Sequence, residues 1–118
     1  MTQEQEQDCI FCRIAAGELG TAFVYESDAV IAFNDVAPQA ETHVLVIPRS
    51  HVSSVAAVGR EHDALLGELV AAANSIAKAR GLEETGYRVL ANHGPDAGQT
   101  VFHLHVHLLG GNALGPLG

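Results

Sequence analysis

Tryptophan is absent, methionine occurs once, and only two cysteines are present among the 118 residues. A chain of this length suits one domain and buries roughly two-thirds of its unfolded surface, so it needs no disulfide staples. Basic side chains are also scarce. Six Lys and Arg against fourteen Asp and Glu leave a net charge of −8. A field of that sign repels duplex nucleic acid and anionic membranes, which excludes both as bulk partners. Any phosphate must then be held by local backbone groups and a few aimed side chains. No apolar run approaches the ~20 residues of a membrane helix. Met1–Asp8 is polar and acidic, unlike the basic start and apolar middle of a signal peptide, so a soluble cytoplasmic protein is expected. Hydrophobic residues at 47% and charged residues at 17% exclude intrinsic disorder.

Local patterns predict an α+β domain. Met1–Asp8 reads as an N-terminal tail. Cys9–Ala16 reads as one or two helical turns that Gly17 ends. Strands are expected over Thr21–Tyr25, Ala29–Phe33, His43–Pro48, Tyr87–Ala91 and Thr100–Leu109, with a turn at Glu26–Asp28. Ser53 or Ser54 is placed to cap a short turn over Val55–Val58. One long amphipathic helix is expected over His62–Arg80, with Leu65, Leu66, Leu69, Val70, Ala73, Ile76 and Ala77 on its apolar face and Gly81 as its stop. Five strands, one long helix and hairpin-like connections point to a mainly antiparallel sheet, whose edges invite pairing with a second copy. Gly110–Gly118 is expected to be an extended tail.

The informative segment is His103-Leu104-His105-Val106-His107-Leu108-Leu109. On a strand the three histidines share one face, with successive rings about 7 Å apart, while Leu104, Val106 and Leu108 face the core. A row of buried imidazoles makes a poor core, because each ring needs polar partners. Upstream, Gly94-Pro95-Asp96-Ala97-Gly98-Gln99-Thr100 forms a glycine-rich loop that exposes backbone N–H groups, and Gln99 and Thr100 add side-chain donors. Loop and histidines together suggest a phosphate pocket in which one imidazole attacks phosphorus and another moves a proton. His62 and His93 read as exposed polar residues. Cys9 and Cys12 offer two corners of a zinc tetrahedron, a redox pair or two idle thiols.

These residues resemble the histidine triad family, whose motif is His-φ-His-φ-His-φ-φ with φ apolar. Gly98-Gln99-Thr100-Val101-Phe102 before the triad and Gly110-Gly111 after it resemble the HINT branch. The resemblance extends to Phe33–Ala40 and His43–Pro48, and so covers most of Cys9–Gly111, with Met1–Asp8 and Asn112–Gly118 as tails. It implies an α+β fold whose five-stranded sheet is joined to its twin across a homodimer. It also implies cleavage of nucleoside 5′-phosphoramidates or aminoacyl adenylates to a purine nucleoside monophosphate through a nucleotidyl-histidine. His105 would be the nucleophile. His107 and His43 would bind phosphate and orient it. Asn92, Gly98, Gln99 and Thr100 would meet phosphate oxygens, with Thr100 also near the leaving group. Asp35 would bind the ribose, and Ile10, Phe11, Phe33 and Val36 would line the base pocket. The same resemblance implies a structural Zn²⁺ on Cys9, Cys12, His51 and His103. Dinucleoside polyphosphate hydrolysis and non-catalytic nucleotide binding are the alternatives, and Gly110-Gly111 favours the phosphoramidate reading over the first. Many relatives carry Ser where Thr100 stands, and close relatives often end in a Trp-containing tail that this chain lacks.

Overall fold

A computed structural model describes residues 8–117. Of the tail read over Met1–Asp8, all but Asp8 lies outside the described residues. In chain order the elements are α1 (Ile10–Ala15), β1 (Tyr25–Glu26), β2 (Val30–Asn34), β3 (Thr42–Pro48), α2 (Asp63–Ala79), β4 (Tyr87–Leu90) and β5 (Val106–Gly110). The five strands form one sheet in the order β1-β2-β3-β5-β4, and every neighbouring pair is antiparallel. The expected α+β class and strand number therefore hold.

Strand periodicity divides the sheet into two faces. On one face Val30, Ala32, Val44, Val46, Val106 and Leu108 meet Leu69, Ala72, Ala73, Ile76 and Ala77 of α2. On the other, Ile31, Phe33, Leu45 and Ile47 meet Phe11, Ile14 and Ala15 of α1. A helix of six residues covers only part of that second face. The uncovered part holds His43 and His107, so the site occupies the half-sheet that α1 leaves open.

Three boundaries differ from the sequence reading. The first strand pairs at Tyr25 and Glu26 rather than over Thr21–Tyr25, because their partners are Ala32 and Ile31 and the turn closes one residue later, with the Ser27 N–H donating to the Val30 carbonyl (2.8 Å). On α2 the buried stripe runs through Leu69, Ala72, Ala73, Ile76 and Ala77. Val70 is exposed instead, because it lies about 100° around the helix from Leu69. The largest difference lies in the last strand. It begins at Val106, so His103 and His105 stand in an extended segment outside the ladder.

Pro48 explains that late start. Val46 pairs with Val106, and continuation would set Pro48 against Leu104. Proline has no N–H to donate. Its carbonyl accepts from Nε2 of the His103 ring instead (2.9 Å). The Leu104 N–H turns to the Val52 carbonyl (2.6 Å). Leu104, Val106 and Leu108 still enter the core, as the alternation predicts.

Candidate active site and metal cluster

His43 on β3 pairs across the ladder with Leu109, whereas His107 on β5 pairs with Leu45. The two histidines are thus diagonal neighbours on one face, close enough for long side chains to meet. His43 Nε2 lies 2.9 Å from His107 Nδ1. The partners fix the protons. The Gln39 N–H donates to His43 Nδ1 (3.0 Å), so the neutral His43 ring carries its proton on Nε2 and donates to His107 Nδ1. The neutral His107 ring then carries its proton on Nε2. That atom is the one buried side-chain nitrogen or oxygen among the described residues without a hydrogen-bond partner. Three groups in series therefore end on a single aimed donor.

Both rings favour the neutral form. Burial lowers the pKa of His43, and the Asp35 carboxylate opposes the shift. Burial also lowers His107, to about 4, and the neighbouring His105 and His43 add to the effect. Asp35 lies 3.4 Å from His43 Nε2 through Oδ2 and accepts the Ala37 N–H at Oδ1 (2.8 Å).

His105 is oriented separately. Its Nδ1–H donates to the His103 carbonyl (2.7 Å), which leaves the lone pair on Nε2. Its ring centre lies 5.0 Å from that of His107, shorter than the 7 Å spacing expected along a regular strand, and 5.1 Å from that of Phe11 on α1. A free imidazole lone pair beside an unpartnered N–H donor can attack an electrophile whose oxygen that donor holds.

The loop before this segment is clamped. Gly94 (φ 84°) and Gly98 (φ 90°) adopt conformations that side chains disfavour, and they turn the chain around Pro95–Ala97. Gln99 Oε1 accepts the Gly94 N–H (2.9 Å), and its Nε2 donates to the carbonyls of Ser53 (3.0 Å) and Val101 (3.1 Å). Gln99 is buried, and both of its amide donor hydrogens are taken by backbone. The sequence reading gave that amide to phosphate, whereas the structure gives it to the loop. His93 is exposed, as expected, and its Nδ1 hydrogen-bonds with the buried Ser54 hydroxyl (2.7 Å), a contact that nothing in the sequence signals. His62 is half-buried, and its Nδ1 accepts the Gly59 N–H (3.0 Å). Thr100 and Gly98 are exposed on this loop, and Asn92 is half-buried beyond β4.

Of the residues expected around a base, Phe11 and Phe33 pack edge to face at 5.6 Å. Ile10 is exposed beside them in sequence. Val36 is 99% exposed and stands apart from that cluster.

A second cluster lies on the far side of Phe11. The ligand atoms of Cys9, Cys12, His51 and His103 lie within 4.8 Å of one another. His103 is fully buried, and burial lowers its pKa to about 4. Because Nε2 donates to Pro48, its lone pair sits on Nδ1, 3.3 Å from Cys9 Sγ and 3.5 Å from Cys12 Sγ. His51 Nδ1 lies 3.4 Å from Cys12 Sγ. A zinc tetrahedron requires sulfur-to-nitrogen edges of about 3.6 Å. The donor set and its spacing therefore fit a metal ion, and the Pro48 carbonyl supplies the outer hydrogen bond that orients a ligating histidine.

A model of the HIT domain matches residues 16–114. The chain belongs to the HIT family. An uncharacterized HIT-like protein of Synechococcus elongatus is 49% identical over 108 residues, covering 92% of this chain and 94% of the relative. The purine nucleoside phosphoramidase of Escherichia coli is 42% identical over 111 residues, covering 94% and 93%. Among solved structures, a HIT family hydrolase from Clostridium thermocellum superposes with a TM-score of 0.90 at 44% identity, covering 95% of this chain and 97% of that one. This HIT protein thus has hydrolase relatives along nearly its whole length. No helix among the described residues is long and apolar enough to cross a membrane.

The buried histidines make this HIT domain acid-sensitive. His107 and His103 titrate near 4 in the fold, against 6.5 for an ordinary histidine. Between those values the unfolded chain binds more protons, so folding stability falls as pH falls from about 6.5 to about 4 and levels off below. Above 6.5 these rings contribute no pH dependence. Urea midpoints measured from pH 7.5 to 4 in a metal-free sample check the slope, which should be shallower for His107→Gln. A flat profile in wild type contradicts the burial argument.

Proposed function

We propose that this HIT protein hydrolyses purine nucleoside 5′-phosphoramidates or aminoacyl adenylates through a nucleotidyl-histidine on His105. The observation that carries this reading is the His105 Nδ1–H bond to the His103 carbonyl, because it sets the lone pair of the neutral ring on Nε2. The name of the Escherichia coli relative supports the phosphoramidate class.

The reaction runs in two displacements. Nε2 of His105 attacks the α-phosphorus and the bond from phosphorus to the leaving group breaks: in a phosphoramidate the electron pair leaves with nitrogen, which takes a proton, and in an aminoacyl adenylate it leaves with the carboxylate oxygen, which needs none. Thr100 is the hydroxyl at the loop's end that can pass this proton from solvent. Water then attacks the nucleotidyl-histidine, the phosphorus–nitrogen bond to His105 breaks, and the nucleoside monophosphate departs. His107 Nε2–H, buried and without a protein acceptor, suits a phosphoryl oxygen and grows stronger as charge develops there. His43 acts through His107, holding its tautomer. The Asn92 amide is the remaining phosphate donor, because the backbone N–H groups of Ala97, Gly98 and Gln99 donate to the Gly94 and Pro95 carbonyls and the Gln99 side chain also serves the loop. Asp35 is the carboxylate for the ribose hydroxyls, and Phe11 and Phe33 form the apolar wall for the base.

Cys9, Cys12, His51 and His103 would hold a structural Zn²⁺. When bound, it supplies folding energy and a fixed start for the segment that bears His105, with no part in the chemistry. A homodimer completes the reading. The sheet ends in β1, only two residues long, and β4, four residues long, so β4 is the edge better able to pair with a second copy.

Three measurements test these statements. His105→Ala should lose several orders of magnitude in kcat on adenosine 5′-phosphoramidate yet still bind AMP in a calorimetric titration, and near-normal turnover contradicts the nucleophile. Untagged protein purified without chelator should carry one zinc per chain by elemental analysis. Cys9→Ser/Cys12→Ser should lose the metal and melt several degrees lower, whereas an absence of metal in the wild type rejects the site. Sedimentation equilibrium should give about twice the chain mass of 12.4 kDa. A single species at the chain mass in the micromolar range contradicts the dimer.

A further inference from the structure

A cavity of about 400 Å³ opens beside the start of α1, and Cys9 and His51 of the Cys–His cluster line it. Cys12 and His103 do not line it, and both are buried. Cys9 is half-buried. The cluster therefore holds one cysteine that a small molecule can approach and one that is enclosed behind it. These are the only two cysteines of the chain.

The two thiols are arranged to meet. Cys9 stands just before α1 and Cys12 one turn further on, and the Cys12 N–H donates to Cys9 Sγ (3.3 Å). Both sulfurs lie against one nitrogen, His103 Nδ1, at 3.3 Å and 3.5 Å. They lie within 4.8 Å of each other. A disulfide requires sulfurs about 2 Å apart. Residues three apart on a helix share a face, so side-chain rotation supplies the remaining approach. A cysteine oxidised this close to a second thiol is captured as a disulfide before it climbs to the sulfinic acid.

The walls select the oxidant. Ile10, Val101 and Phe102 supply apolar surface, and Asp8 adds a carboxylate with no Lys or Arg beside it. Such a cavity disfavours an anionic oxidant and admits a neutral hydroperoxide. We propose that Cys9 is an oxidation site for hydroperoxides reached through this cavity, and that Cys12 resolves it to a disulfide that discharges the metal ion. In the first step Cys9 sulfur attacks the peroxide, the O–O bond breaks, and the departing oxygen takes the thiol proton, leaving a sulfenic acid. In the second, Cys12 sulfur attacks that sulfur, the S–O bond breaks, and hydroxide leaves as water with the Cys12 proton. Two thiols and one hydrogen peroxide give one disulfide and two waters. A disulfide sulfur is no longer a thiolate ligand, so the cluster falls from four ligands to two. The loss of metal rests on the zinc reading above, whereas the oxidation itself does not.

The test is timed treatment of the reduced protein with hydrogen peroxide, read by peptide mapping without reductant. The wild-type peptide that holds both cysteines should lose two hydrogens and regain them with dithiothreitol. A dimedone pulse on wild type, which needs no substituted chain, should mark a sulfenic acid on Cys9 and not on Cys12. In Cys12→Ser the Cys9 adduct should accumulate, while in Cys9→Ser the Cys12 thiol should be oxidised on the order of 10-fold more slowly, and unfolding in urea should abolish that difference. Zinc-loaded wild type should release one ion per chain to a chromogenic chelator in step with the disulfide. Equal marking of the two sulfurs in the folded protein, a sulfinic acid on Cys9 without a disulfide, or thiols that stay reduced while the urea-unfolded chain is oxidised overturns the site. A disulfide that forms while the ion stays bound overturns the discharge of metal and leaves the oxidation site standing.

Discussion

The bond from His103 Nε2–H to the Pro48 carbonyl holds the two halves of this molecule in register (2.9 Å). It joins the end of β3 to the segment that leads into β5. Because Pro48 has no N–H, the ladder stops there and the backbone from Thr100 to His105 is released from the sheet. Because its carbonyl is taken by a ring nitrogen, the other nitrogen of that ring faces Cys9 and Cys12. The freed carbonyl of His103 then fixes the His105 ring. Removing this one acceptor would loosen the Cys–His cluster and the His105 ring together.

Away from Pro48, polarity is set by position in the fold. The Gln39 N–H determines where the proton sits on His43, and that proton determines the state of His107. Low exposure keeps these rings neutral although Asp35 lies nearby. The polar row survives on an apolar face because each ring but the last has a partner, and the last keeps its Nε2–H without one among the described residues. The anionic character of the whole chain is no obstacle to this. In the proposed reading phosphate is met by N–H donors of neutral groups, while the net charge of −8 acts at longer range.

Much of this could be read from the residues. Alternation in Leu104, Val106 and Leu108 identified the core face, and the 3.6-residue spacing located α2 to within a residue at each end. The four residues Cys9, Cys12, His51 and His103 converge as the family resemblance implied, in a group that could hold a metal ion. What escaped the sequence reading was decided by contacts distant along the chain. The late start of β5 depends on the proline of another strand. The inward turn of Gln99 depends on the carbonyl of Ser53, and His93 finds Ser54 only once the loop has closed. Local propensity carries no trace of such partners. The exposed position of Val36 has the same origin, because a residue in the loop after β2 has no alternation to orient it.

Helix α1 carries more than its six residues suggest. Cys9 caps it with a sulfur that accepts the Cys12 N–H, Cys12 faces His51, and Phe11 touches both His103 and His105. Each of these residues answers to a different neighbour, and the angles between them are set by the helical repeat. Inserting a single residue between Cys9 and Cys12 would turn everything after it by about 100°. No such rotation could keep both thiols beside His51 and His103 and the Phe11 ring against His105. The segment therefore behaves as a gear with one tooth position: it can be lengthened before Cys9 or after Ala15, but its inner spacing has no slack.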